Sequence, residues 1–166
     1  MVAVLLAKDD AEVSFGDQLV MHAPVLLAAA RLITLDEAEA QDVVQITFEI
    51  ALRRSHTLRD PASLRAWLIA IETREAIRRA RSLRRFLSFN PRLHDIASPE
   101  LSRERSLLLR EGLKKLPRRV RAAIALHYLD GYTVRETADV LGVSENTIKT
   151  QLKTGLARLR EELRDE

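Results

Sequence analysis

The stretch from Thr133 to Leu163 leaves the backbone few choices. Thr133-Val134-Arg135-Glu136 reads as a capping box, in which the Thr133 hydroxyl accepts from the amide of Glu136 while the Glu136 carboxylate returns a bond to the amide of Thr133. Val134, Ala138 and Leu141 then share one face. Gly142 can take the left-handed conformation that ends the helix, Val143 plugs the turn, and Ser144 caps a second helix. There Ile148, Leu152, Leu156, Leu159 and Leu163 recur at steps of 4, 4, 3 and 4, a buried helical stripe. The small Ala138 lets the two helices cross closely, and the polar N-terminal end of the second is left facing outward. Such a pair is a helix-turn-helix whose second helix enters the major groove. Arg135, Ser144, Glu145, Asn146, Thr147, Lys149, Thr150 and Lys153 are then the residues expected to meet phosphates and base edges. A plain antiparallel helix pair with a solvated polar face would share the glycine turn. The joint presence of capping box, Gly142, Ser144 and a polar outer face that is not of alternating charge weighs against it.

The rest of the chain also reads as helical, and the expected fold class is all-α. Glycine and proline number five each in 166 residues, and apolar side chains recur at helical spacing with no strand pattern. A first helix is expected from about Asp17 to Leu32, broken or kinked at Pro24. Asp36 with Glu39 three residues on reads as a capping-box variant opening a second helix to about Arg54, with Val44, Phe48 and Leu52 on one face. Asp60-Pro61 supplies an N-cap and a first-turn proline for a third, in which Leu64, Trp67, Leu68 and Ile71 form the apolar stripe as far as Arg81. From Ser82 to Ala97 that period is lost among Ser, Asn, Pro and Arg, so residues 82–97 read as a linker between two small helical domains, 1–81 and 98–166. In the second domain Ser98-Pro99 restarts a helix to Leu116, and Pro117 opens another to Leu129, closed by Asp130-Gly131.

Charge narrows the class of partner. The first 50 residues carry nine acids against Lys8 and Arg31, whereas residues 53–92 hold eleven arginines opposed by Asp60, Glu72 and Glu75. A basic stripe of this density suits a polyanion, because each neutralised phosphate releases counterions. A solvated arginine-rich helix face would look the same. The absence of cysteine excludes disulfides and thiolate metal sites. The opening MVAVLLAKDD runs from a short apolar stretch into acid without a cleavage-site pattern, and no stretch approaches a membrane span. A cytoplasmic location and no membrane insertion are expected. His22, His56, His94 and His127 are isolated from one another and from any paired-carboxylate or metal-binding spacing, and neither a phosphate-binding glycine loop nor a nucleophile motif occurs. No catalytic residue, metal or cofactor is expected.

The segment LKKLPRRVRAAIALHYLDGYTVRETADVLGVSENTIKTQLKTGLARLREEL, Leu113 to Leu163, resembles region 4 of the bacterial sigma-70 family. DEAEAQDVVQITFEIAL, followed by PASLRAWLIAIETREAIRRARS, resembles region 2 of the extracytoplasmic-function sigma factors, a compact group with only these two domains. The resemblance implies an RNA polymerase sigma factor, a DNA-binding subunit for promoter recognition that takes part in transcription and its regulation. Its implied partners are core RNA polymerase, promoter DNA and an anti-sigma factor.

On the matching positions, the resemblance places Asp42, Val43, Val44, Gln45 and Phe48 where the family grips core polymerase, although Val44 and Phe48 also suit a core. It makes the loop from Ser55 to Ser63 the part that captures an unstacked base of the −10 element, with Arg59, Asp60, Ser63, Arg65, Arg74 and Arg78 around the separated strand. The helix-turn-helix is left to read the −35 element. Trp67 could serve as a stacking platform, but its place in the apolar stripe favours burial. The chain departs from the family at Ile46, where Glu is common, and at Arg74 and Arg78, where Asn and Asp are common. Extra positive charge on the promoter-reading face favours backbone contacts over base readout. The competing reading is a stand-alone regulator of the response-regulator output type. The region 2-like helices and their acidic lead-in argue against it.

Overall fold

The computed structural model describes residues 14–83 and 103–164, and every regular element among them is helical. α1 (Phe15–Met21) and α2 (Ala23–Thr34) meet at His22, and Pro24 occupies the first turn of α2, where its missing amide proton costs nothing. The kink expected at Pro24 is thus a junction between two helices. α2 ends at Leu35, the one non-glycine residue at positive φ among those described (57°), whose amide donates to the Arg31 carbonyl. Its side chain is buried, and that burial offsets the left-handed backbone.

α3 (Glu37–Arg53) starts at Asp36, whose carboxylate accepts from the amide of Glu39 at 2.7 Å. Glu39 does not return the bond as a capping box would, because its carboxylate is drawn to Arg118, 79 residues on. Asp60 likewise caps the 3-10 turn Pro61–Ser63, which leads into α4 (Leu64–Leu83). α2, α3 and α4 pack together as a three-helix unit. The buried face of α3 is Ala40, Val43, Val44, Thr47 and Ala51, and that of α4 is Leu64, Leu68, Ile69, Glu72, Thr73 and Ala76. Both differ in part from the expected stripes: Leu52 is 54% exposed, Phe48 is half-buried, and Trp67 and Ile71 lie at the edge of the core.

The expected linker falls almost wholly outside the described residues, as does the helix start at Ser98-Pro99. α5 (Arg103–Lys114) and α6 (Arg118–Ile124) follow, and α6 runs into a π turn, Ala125–Leu129. Asp130 ends it and Gly131, at φ 76°, turns the chain. α7 (Val134–Leu141) and α8 (Glu145–Glu162) complete a second unit, in which α8 packs on α5, α6 and α7. Gly155 lets α8 approach α6: a Cβ there would stand 2.8 Å from Val120 Cγ1 and 3.2 Å from Ile124 Cδ1.

The two units are pressed together. Ala122, Ala125 and Leu126 belong to the core built by α1 to α4, while Leu35 belongs to the core under the helix-turn-helix. Arg118 donates to both carboxylate oxygens of Glu39, at 2.7 and 2.6 Å, and to the Ala76 carbonyl at 2.9 Å. Arg121 is buried and donates to the carbonyls of Ile33 (2.8 Å), Leu113 (3.1 Å) and Leu116 (2.5 Å). Burial pushes its guanidinium down to about 10, with Arg118 adding to the effect and Glu39 opposing it.

Candidate functional site

Three surfaces gather the residues singled out in the sequence. The first is the outer face of α8. The capping box is complete, since Glu136 accepts from the Thr133 amide at 2.8 Å and Thr133 accepts from the Glu136 amide at 3.2 Å. The Thr133 amide and the Thr133 hydroxyl, which also donates to Glu136 Oε2 at 2.8 Å, hold the Glu136 carboxyl below its usual range. Gly142 takes φ 64°, and the Ser144 hydroxyl accepts from the Thr147 amide at 3.1 Å. Ser144 and Thr147 are therefore occupied in the cap, their hydroxyls 2.9 Å apart. Ile148 and Leu152 point inward. Asn146, Lys149, Thr150 and Lys153, spaced i, i+3, i+4, i+7, form a continuous exposed stripe, with Arg135 and Glu145 exposed beside it. The bases of a major groove offer acceptors and donors that amide, hydroxyl and ammonium groups of this kind can meet.

The second surface is the turn between α3 and α4 with the outer side of α4. Arg59, Asp60, Ser63, Arg65, Arg74 and Arg78 are all exposed. Asp60 and Ser63 shape the turn: Asp60 Oδ1 accepts from the Ala62 amide at 3.0 Å and the Ser63 hydroxyl donates to the Asp60 carbonyl at 2.7 Å. Arg78 pairs with Glu75 one turn away. Arg65 and Arg74 reach instead into the second unit, Arg65 to Asp130 at 3.4 Å and Arg74 to the Val140 carbonyl at 3.3 Å.

The third surface is a groove of about 720 Å³ along α2 and α3, floored by Pro24, Leu27, Val44, Phe48 and Leu52 and rimmed by Arg31, Gln41, Gln45 and Glu49. Val44, Gln45 and Phe48 were singled out in the sequence, and α2 supplies the wall that was not. Asp42 stands exposed nearby, paired with Arg79 at 3.1 Å. Val43 is a correction. It has no exposed surface, because it sits on the inner side of α3 in the core shared with α2 and α4, so it packs that core and does not line the groove.

Two family models match: "Sigma-70 region 2" over residues 19–86 and "Sigma-70, region 4" over residues 106–159. The RNA polymerase sigma-E factor of Streptomyces coelicolor is 34% identical over 141 residues, which cover 83% of this chain and 79% of that protein. The chain belongs to the sigma-70 family. Within it, the ECF RNA polymerase sigma factor SigL of Mycobacterium tuberculosis is 32% identical over 147 residues, 84% of this chain and 82% of SigL, which places the chain in the extracytoplasmic-function group. Among solved structures, the sigma factor RpoE in complex with the anti-sigma factor NepR from Bartonella quintana has the same fold, with TM-score 0.77 at 24% identity over 92% of this chain and 98% of that one. CnrH in complex with the cytosolic domain of CnrY aligns with TM-score 0.62 at 30% identity, covering 90% and 86%.

In sigma-factor terms the first unit is region 2 and the second is region 4. No helix among the described residues is long and apolar enough to cross a membrane. The sequence missed the contacts between the regions, above all Glu39 with Arg118 and the buried Glu72, Arg121 and Asp130. The only sequence signal for them is a charged residue standing on an otherwise apolar helix face, which is plain for Glu72 between Ile69 and Ala76.

Proposed function

We propose that this sigma factor docks on core RNA polymerase through the α2–α3 groove, reads the −35 element with the exposed stripe of α8, and holds the opened −10 strand on the turn from Ser55 to Ser63 and the arginines of α4. The observation that carries this reading is the presence, in one chain, of an apolar groove for a protein partner and a separate polar helix face for DNA. A stand-alone regulator needs only the second. Val44, Gln45 and Phe48 serve the groove, with Leu27 and Leu52 completing it and Asp42 exposed beside it. Asn146, Lys149, Thr150 and Lys153 serve the −35 contact, with Arg135, Glu145 and the capping hydroxyls of Ser144 and Thr147 at its edge. The role is non-catalytic and cytoplasmic, acting on a polymerase that does the chemistry. An anti-sigma factor is a further proposed partner, since RpoE, of the same fold, is seen in complex with the anti-sigma factor NepR.

The groove assignment is tested by co-purification with core RNA polymerase. Leu52 is exposed and contributes little to the core, so Leu52→Asp should fold normally and bind polymerase at least roughly tenfold more weakly, as expected for an anchor at an interface centre. Parent-like binding by Leu52→Asp and by Phe48→Asp would contradict the assignment.

A further inference from the structure

Glu72 is wholly buried on α4, where an aliphatic side chain would pack with less cost. The charge that acts on it is a like one, Asp130 of region 4, whose side chain is also wholly buried, and the two carboxylates repel. Each keeps one buried oxygen, Glu72 Oε1 and Asp130 Oδ2, with no hydrogen-bond partner. The compensation on hand is slight: Thr73 donates to Glu72 at 3.4 Å and Arg65 to Asp130 at 3.4 Å. Tyr132 beside Asp130 donates to the Ala66 carbonyl at 3.4 Å, Arg119, Arg135 and Asp139 are exposed to solvent, and the other charged groups on the packed elements are engaged elsewhere. On α2 and α3, Arg31 pairs with Glu37, Glu39 with Arg118 and Asp42 with Arg79. On α6, Arg121 is spent on three carbonyls; around the π turn and α7, His127 donates to the Tyr132 carbonyl at 2.6 Å and Glu136 is held by Thr133. On α4 itself, Arg74 reaches Val140 and Glu75 holds Arg78. A buried pair of like charges whose one cation, the half-exposed Arg65, stands at 3.4 Å keeps a proton.

We propose that the contact between regions 2 and 4 is a proton-linked latch: closing it takes up a proton at the Glu72–Asp130 pair and engages Arg65 and Arg74 with region 4, and losing that proton opens it. The masking half of this statement rests on the −10 role assigned to those arginines, and the latch does not. Burial with Asp130 nearby holds Glu72 at about 8, and burial holds Asp130 at about 6 against the pull of Arg65. Both carboxyls are raised in the closed form, so closure is favoured at low pH and lost as pH rises through about 6 to 8.

The chain has no cysteine, so Arg53→Cys on α3 and Arg160→Cys on α8, both exposed, give a unique dye pair for energy transfer in the full chain. Transfer should be high at pH 5.5 and fall by pH 8.5, the closed-to-open ratio dropping by up to about tenfold per pH unit for one linked proton. Glu72→Gln, which mimics the protonated form, should stay closed to higher pH than the parent, with only the Asp130 proton left to lose. Wild-type transfer that is flat with pH, or a Glu72→Gln chain that titrates like the parent, would overturn the latch. For the masking, a labelled mixed-sequence 12-nucleotide single-stranded DNA should bind Glu72→Gln several-fold more weakly than the parent at pH 8.5. Equal binding there would overturn the masking. Failure of the function proposed above would appear separately, as loss of polymerase binding with the energy-transfer profile unchanged.

Discussion

At the scale of single residues, the four side chains of the α8 stripe have different tasks. Lys149 and Lys153 carry point charges suited to phosphates, whereas the Asn146 amide can form paired bonds to a base edge. Replacing Lys149 with Ala should weaken −35 binding at all sequences alike and lower the salt slope of log K by about 1. Asn146→Ala should instead change which sequence is preferred, with about 1–3 kcal/mol lost at one base pair, read by binding to a panel of singly substituted duplexes. If both variants kept parent-like affinity and preference, the face assigned to DNA would be wrong. Arg118 has a structural task. Its removal strands the Glu39 carboxylate, which has 9% side-chain exposure, and Arg118→Ala should cost about 1–3 kcal/mol in urea unfolding.

Among the elements, the helix-turn-helix depends on two glycines with opposite reasons for being glycine. Gly142 sits at φ 64° with open space around it, so Gly142→Ala should cost about 1–2 kcal/mol from backbone strain alone. Gly155 lies mid-helix, where alanine would ordinarily gain about 1 kcal/mol. Here its Cβ would press on the stiff Val120, so Gly155→Ala should still lower the thermal midpoint, by an overpacking cost of about 1–3 kcal/mol less that gain. A raised midpoint would show that α8 is free to move off α6. Helix starts were legible in the sequence because a cap is decided within three residues: Asp36, Asp60, Thr133 and Ser144 each bond where their spacing requires. The α8 stripe was legible for the same local reason. The inner faces of α3 and α4 were only partly so, because Val43, Ile69 and Glu72 are buried by helices distant in sequence. Glu39 as a bridge to Arg118, and Arg65 as a bridge to Asp130, depend on partners 79 and 65 residues away that no local pattern encodes.

For the molecule as a whole, the acidic first third and the arginine-rich middle are resolved by the fold into a region 2 unit whose outer α4 surface is basic and whose α2–α3 side is an apolar groove. Arg118 and Arg121 bind that unit to region 4 from the other side, and the −35 stripe remains open to solvent. A protein arranged in this way should direct a polymerase to particular starts when supplied with one. The most direct measurement is run-off transcription from a pool of promoter fragments by purified core RNA polymerase, with and without this protein. The account predicts discrete transcripts that require the protein, from fragments sharing a −35 and a −10 element. Core polymerase that gives the same transcripts with and without it, while the protein alone binds duplex DNA specifically, would contradict the account.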